Sequence, residues 1–378
     1  MTAWAKRHAS VLVGLAVVIV LALLPYSALA IPGVLPGPLN SPGTLQVLAI
    51  CLVFAAVALT YDLLFGFTGL LSFGHALYFA VGVYVTAIAL THWHWGLVPS
   101  VLAALLAGLV VALVTGAVAL RVQGIAFAMV TLAFAQAGSV LVVQDPLDRT
   151  GGEQGLGLDV SKVPDAFIGV LNTQNLYWLA LVLAVVVYVV VRVVTRSPAG
   201  HVWAAIRENE LRATVLGLRT YAFKLVAFVI ASVLATLCGA AYVLIVGGAS
   251  SRVTTADFTL TLLVMVVLGG SGVRWGAMLG GFAYMLLDQR LGSLAGVDAI
   301  SALPAVLEVP LSQPLFLLGT LFVIVVMFLP GGLASLTGLR RTRRPLETPN
   351  GPTGGSTAGS TGTTPDARPD AQARAEAV

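Results

Sequence analysis

Charge is what this sequence has least of. Asp, Glu, Lys and Arg supply 10% of its 378 residues, against about 25% in an ordinary soluble domain. So few charges cannot make a solvated surface, so a bilayer must cover most of the outside. Cysteine is nearly absent too: Cys51 and Cys238 both lie inside apolar runs. That excludes a disulfide framework or a zinc site, which need more ligands at closer spacing, and leaves them as small hydrophobes in packed helices. Five histidines are scattered along the chain. An intramembrane enzyme needs clustered histidines and carboxylates or a nucleophile with its base, so no catalytic residue is assigned. His92 and His94 flank Trp93 but have no third ligand nearby, so they are not read as a metal site. The phosphate-binding pattern G-x-x-x-x-G-K-[ST] is missing, so the chain cannot bind ATP by that route. No cofactor is implied. An ion-coupled transporter would want acids at membrane depth. Asp62 and Asp288 alone come near, and both fall close to span ends.

Apolar residues are abundant, at 58%. Runs of about 20 residues, enough to cross a bilayer, recur along the whole length. The fold class expected is all-α: a polytopic membrane bundle of about ten transmembrane helices with a short cytoplasmic helix. Val11–Ile31 is read as a retained first helix, although Ala28-Leu29-Ala30 resembles a signal-peptidase site. Residues 31–43 carry four prolines, cannot continue a helix and form an external loop. Further spans are expected at 44–64, 66–91, 97–120, 124–143, 175–195, 221–247, 258–272, 276–291 and 312–330. Residues 1–43 thus form an N-terminal helix and loop, and 44–333 the transmembrane domain. Residues 334–378 form a tail whose Pro, Gly, Ser, Thr and Ala leave it without a face to bury.

The orientation rests on the basic residues. With both termini in the cytoplasm, fourteen fall inside (Lys6, Arg7, Arg121, Arg192, Arg196, Arg207, Arg212, Arg219, Lys224, Arg274, Arg340, Arg341, Arg343 and Arg344). Four fall outside or at the outer edge (Arg149, Lys162, Arg252 and Arg290). That asymmetry matches the positive-inside rule. The net charge of +4 is therefore no sign of nucleic acid.

One stretch stands against the general scarcity of charge: AAIRENELRATVLGLRTYAFK, residues 204–224. Ser197-Pro198 suits a helix start. Glu208 and Arg212 stand at i,i+4 with the acid first, the supportive order. Gly217 suits a stop. A single helix over roughly 199–216 is expected, with Val202, Ile206, Ala213 and Leu216 near one face. A connector that only holds topology needs none of these features, so the segment is read as a docking element.

SPAGHVWAAIRENELRATVLGLRTYAFKLVAFVIASVLATLCGAAYV, GFTGLLSFGHALYFAVGVYV (66–85), RVQGIAFAMVTLAFAQ (121–136), TGGEQGL (150–156), LLVMVVLGGSGVRWGAMLGG (262–281) and FLPGGL (328–333) occur in a particular order. In that order they resemble the branched-chain amino-acid ABC transporter permeases, M-type subunit, over most of 44–333. The resemblance implies that 199–217 is a coupling helix seated in a cleft of a separate ATP-hydrolysing subunit. It carries the contact role to Arg207, Glu208, Asn209 and Glu210, with Arg212 and Gly217 in the same segment. It implies two ATP-binding cassette subunits, a second homologous permease in a heterodimer and an extracytoplasmic solute-binding protein. Leu, Ile, Val or related amino acids would be the solute. Urea and short amides are the nearest competitors, and TGGEQGL looks closer to the amino-acid branch.

A pathway for a polar solute needs groups that replace water, which broken helices provide. GFTGLLSFGH is the first candidate, with Thr68, Gly69, Ser72, Gly74 and His75. The alternative there is close helix packing at small residues, and for His75 a hydrogen bond between helices. Thr131 and Gln136 are the second candidate, since a buried amide needs partners.

Overall fold

A computed structural model describes residues 14–27, 36–169, 172–294, 313–329 and 331–337. The expected tail beyond 337, the arginines at 340–344, Lys6, Arg7 and the possible cleavage site lie outside these residues; 334–337, expected in the tail, form part of a short 3-10 turn with Ala334 buried. So does most of the last outer loop.

The long spans follow from uninterrupted apolar sequence with a defined start. Ser41 caps α2 (Pro42–Asp62) by accepting from the Thr44 N–H at 3.4 Å, with Pro42 in the first turn. α3 is His75–Thr91, α4 Leu97–Ala119, α5 Ile125–Gln144 and α6 Thr173–Arg196. Two short helices follow, α7 (Pro198–Glu208) and α8 (Glu210–Val215). Then come α9 (Thr220–Val246), α10 (Ala256–Gly269), α11 (Arg274–Leu294) and α12 (Pro314–Phe328). An apolar helix at Gly14–Tyr26 precedes them all and is α1. Among the described residues, five helices are long and apolar enough to cross a membrane: α2 with its extension, α4, α5, α6 and α9. The protein is an all-α membrane protein. Its only described strand pairing is two residues long, β1 (Leu156–Gly157) against β2 (Gly248–Ala249).

α2 is enclosed on nearly every side and α9 on most, so both are central. α4 turns Val98, Leu102, Leu106 and Val110 outward along one stripe. Its other face carries buried Ala104, Gly108 and Ala112. Small residues allow helices to approach closely where lipid supplies no hydrophobic drive. A Cβ on Gly108 would run into the Thr236 side chain of α9. One on Gly82 of α3 would strike the Thr236 carbonyl, and one on Gly239 of α9 the Phe79 carbonyl of α3. Phe54, Phe79, Tyr242 and Phe258 fill the centre as an aromatic cluster.

The connections gather at two ends. At one, β1 pairs with β2, the Asp159 N–H donates to Thr91 Oγ1 at 3.2 Å, and Ser251 Oγ donates to the Glu153 carbonyl at 3.1 Å. At the other lie the end of α2, the end of α7, the α10–α11 turn and Gly331-Gly332.

The span expected at 66–91, with its glycines interrupting it near the start, is helical only from His75, because Leu63–Thr68 continues α2 as a wider, i→i+5 turn. Gly69, at φ +75°, closes that turn, and the Leu70 N–H reaches back to the Leu64 carbonyl at 2.9 Å. One expectation on the helices is corrected. The helix expected at 199–216 is two helices. Asn209 is extended (φ −162°, ψ 103°), and its side chain caps α8 by accepting from the Arg212 N–H at 2.9 Å. Asparagine is among the best N-caps, and here it starts a second helix. Glu208 and Arg212 therefore stand on either side of a break and not one turn apart.

Candidate coupling and translocation site

The chain between α2 and α3 is the broken element that the glycines foretell, and its polar atoms are already occupied. Thr68 Oγ1 donates to the Leu64 carbonyl at 2.6 Å. Ser72 Oγ accepts from the Gly74 N–H at 3.2 Å. The first amides of α3 find hydroxyls on other helices: Phe73 N–H donates to Thr131 Oγ1 of α5 and Ala76 N–H to Thr259 Oγ1 of α10, each at 3.0 Å. Gly74 is needed for this approach, since its Cβ would lie 2.9 Å from the Thr131 carbonyl oxygen. Thr131 and the 68–75 segment, separate candidates in sequence, are one assembly. Thr259 belongs to it as well. Its signal in the sequence was slight, a threonine in the first turn of an apolar helix.

His75 is fully buried. Its Nε2 lies 2.9 Å from Thr60 Oγ1. That hydroxyl donates to the Val57 carbonyl at 2.7 Å, so the imidazole must donate through Nε2. Nδ1 has no partner. The ring packs edge-on to Tyr61 and Tyr78 at 5.3 and 6.4 Å. In this conformation His75 makes an interhelical hydrogen bond, one of the two roles its sequence leaves open. Gln136 is a correction: it lies on the exposed face of α5, not buried among partners. α5 is apolar on every side, so no periodicity revealed which face turns out.

The charged 198–217 segment is seated by a residue that the sequence pattern missed. Trp203 of α7 is fully buried, and its Nε1 donates to the Phe223 carbonyl at 2.8 Å. Ile206 and Ala213 are buried as expected; Val202 is half-buried, and Leu216 is exposed. Gly217, at φ +85°, ends α8, and the Leu218 N–H returns to the Ala213 carbonyl at 3.2 Å.

The charged cluster divides. Arg207 turns its guanidinium inward onto the Gly66 carbonyl, and Glu210 pairs with Lys224, which is buried on α9. Arg207 as a whole still remains exposed, as do Glu208, Asn209 and Arg212. Beside them α8 presents Leu211, Val215 and Leu216, which are 74%, 79% and 75% exposed. A hexaresidue helix with three bare aliphatic side chains rimmed by charges has the make-up of a docking surface.

These features define a class: a multi-pass membrane protein whose helices break at one end, next to a short segment with an exposed face of aliphatic and charged residues. The chain belongs to the family described as branched-chain amino acid transport system / permease component, whose model matches residues 43–335. That family is a non-catalytic transport component. The chain is similar to the high-affinity branched-chain amino acid transport system permease protein LivM of Escherichia coli (strain K12). The two are 27% identical over 326 residues, which span 79% of this chain and 71% of the relative. The protein of the same name from Salmonella typhimurium is 28% identical over the same shares. A probable branched-chain amino acid transport permease protein LivM of Methanocaldococcus jannaschii is 29% identical over 160 residues, 41% of this chain and 45% of its own length. No solved structure gives a significant match.

Proposed function

We propose that this chain is the membrane permease subunit of an ATP-binding-cassette importer of branched-chain or related aliphatic amino acids. Two ATP-hydrolysing subunits engage it on the cytoplasmic side, and an extracytoplasmic binding protein delivers the solute. A second homologous permease completes the pathway as a heterodimer. The chain crosses the cell membrane about ten times, with both termini in the cytoplasm, and 44–333 is the transporting domain. Urea or a short amide is the alternative solute, and ion coupling the more distant alternative.

The observation that carries this reading is the exposed α8 surface beside the inward-turned Arg207. One side of the 198–217 segment faces a partner, and the other touches the broken α2–α3 element. Glu208, Asn209, Arg212 and the three bare aliphatic residues supply the outward side. Gly217 fixes where that surface ends. Thr68, Gly69, Ser72, Gly74, His75 and Thr131 are the groups that would rearrange as a pathway opens. Gln136, on the exposed face of α5, points to a pathway or a second permease there, because an amide facing lipid is unfavourable.

Impermeant thiol labelling tests the orientation, since the native Cys51 and Cys238 are both buried. A cysteine at Asn209 should react only from the inner side, and one at Leu147 only from the outer. Asn209 reacting from outside would overturn the reading. ATP-dependent leucine uptake by the reconstituted complex, set against urea, separates the two solutes.

A further inference from the structure

A buried carboxylate next to the coupling segment is left half-satisfied. Asp62, at the end of α2, is fully buried. Its Oδ1 accepts from the Gly272 N–H of the α10–α11 turn at 2.8 Å, and its Oδ2 has no hydrogen-bond partner. A buried charge is strongly unfavourable unless paired. The guanidinium of Arg207 is close by but bonds the Gly66 carbonyl. Glycines keep the intervening ground clear of side chains. A Cβ on Gly66 would strike Asp62 and the Gly272 amide, and one on Gly272 would lie 3.0 Å from Arg207 Nη1. Arg207 thus has two acceptors within one small space, a carbonyl it uses and a carboxylate oxygen it does not. Arg274 is the other nearby cation, but it sits at the start of α11 with Nη1 donating to Thr195 Oγ1 at 3.1 Å. Arg207 alone is carried by a short helix that a partner can displace.

We propose that Arg207 is an internal lever and not an ATPase contact, bonding Gly66 in one state of the transporter and Asp62 in the other. Displacement of α7 then moves the guanidinium from carbonyl to carboxylate. That releases the last turn of α2 and, through Asp62, the α10–α11 turn. Arg207 and Asp62 act as positioning residues for the α2–α3 break. The idea rests on the importer reading above and names the residues that transmit its stroke.

The test uses the complete reconstituted complex, with leucine uptake and ATP hydrolysis stimulated by leucine-loaded binding protein measured together. A wild-type complex that shows no stimulation defeats the importer reading itself. With a coupled wild type, Arg207→Gln and Asp62→Asn should each lower uptake per ATP by about fivefold, and the double variant should be no worse than either, a coupling of ordinary size for residues that meet. Effects that multiply, or non-additivity of Asp62→Asn with Arg274→Gln in place of Arg207→Gln, would overturn the proposal. Arg207→Cys decides the matter even if Asp62→Asn fails to assemble. Modification with an ethylammonium thiosulfonate should restore coupling, whereas a hydroxyethyl one should not. The hydroxyl can still donate to the Gly66 carbonyl, so equal rescue by both reagents would show that no carboxylate is engaged.

Discussion

The two ends of the bundle solve the same problem differently. Both must finish helices and turn the chain. At the end where β1 meets β2, the described loops are tied by short hydrogen bonds. Asp145 Oδ1 accepts from the Arg149 and Thr150 amides at 2.7 and 2.9 Å, and Oδ2 from the Gly151 amide at 2.8 Å. β1 and β2 tie two loops together. At the opposite end Asp62 Oδ2 and Arg274 Nε are both left without partners. A fully paired polar network holds one geometry, and a partly paired one has reason to change. On the proposed orientation the β1–β2 end is the outer one, and we expect its tied loops to stay fixed while the Asp62 cluster rearranges.

The sharpest way to break the comparison is at Trp203. Trp203→Ala removes a fully buried ring and its hydrogen bond to the Phe223 carbonyl. Truncations of this kind cost about 3–5 kcal/mol. Thermal unfolding in detergent should shift downward and partner-stimulated ATP hydrolysis should disappear. Trp203→Phe keeps most of the ring and loses the hydrogen bond, about 1 kcal/mol. Equal damage from both would show that the bond, not the packing, seats α7.

A pair of glycines comes next. Gly66→Ala forces a methyl into Asp62 and the Gly272 amide, and overpacking costs about 1–3 kcal/mol. Uptake should be lost while the protein still inserts. Gly157→Ala, in β1, meets open space within 4 Å and should leave uptake unchanged. If the two behaved alike, the distinction between a working inner cluster and a passive outer rim would fail.

What the sequence made legible follows the same division. Spans such as 97–120, observed as Leu97–Ala119, are readable because an apolar run of bilayer length has few other fates. The stop at Gly217 and the break around Gly69 are readable because each needs a backbone shape that suits glycine. The contacts that define the site are not of that kind. Arg207 meets Gly66 across 141 positions, and Thr131 meets Phe73 across 58. No local pattern marks such pairs, so the charged residues looked like one outward cluster when Arg207 in fact reaches the Gly66 carbonyl and Glu210 pairs with Lys224. Asn209 was readable in principle as a cap. The acid–base spacing across it argued more strongly for one continuous helix.

The outer rim makes a prediction through pH. Hydrogen bonds from the Thr150 amide first, then Arg149 and Gly151, hold the Asp145 carboxyl well below its ordinary range, at about 2. The ordinary value is about 3.9. A depressed pKa adds stability that is fully present above the ordinary value and lost as pH falls through the folded one. The loop should therefore loosen between about pH 4 and about pH 2. A fluorophore on Leu147→Cys should lose anisotropy across that window. Asp145→Asn should be loose already at neutral pH, since its amide nitrogen cannot accept from an N–H, and should show no further transition there.

The smallest effect is expected at His94. Its Nδ1 lies 3.6 Å from Asp159 Oδ2, with 61% and 35% of the two side chains exposed. Exposed pairs of this length contribute little. Asp159 is also held by the Ser161 amide, which is the main reason its carboxyl sits below the ordinary range, with His94 a lesser cause. His94→Ala should leave thermal unfolding and uptake within measurement scatter. Asp159→Ala, which frees the start of the 160–162 turn, should increase proteolysis of that loop without changing uptake. A loss of transport in either variant would mean that the rim moves during the cycle, and the division between a still outer end and a working inner end would have to be redrawn.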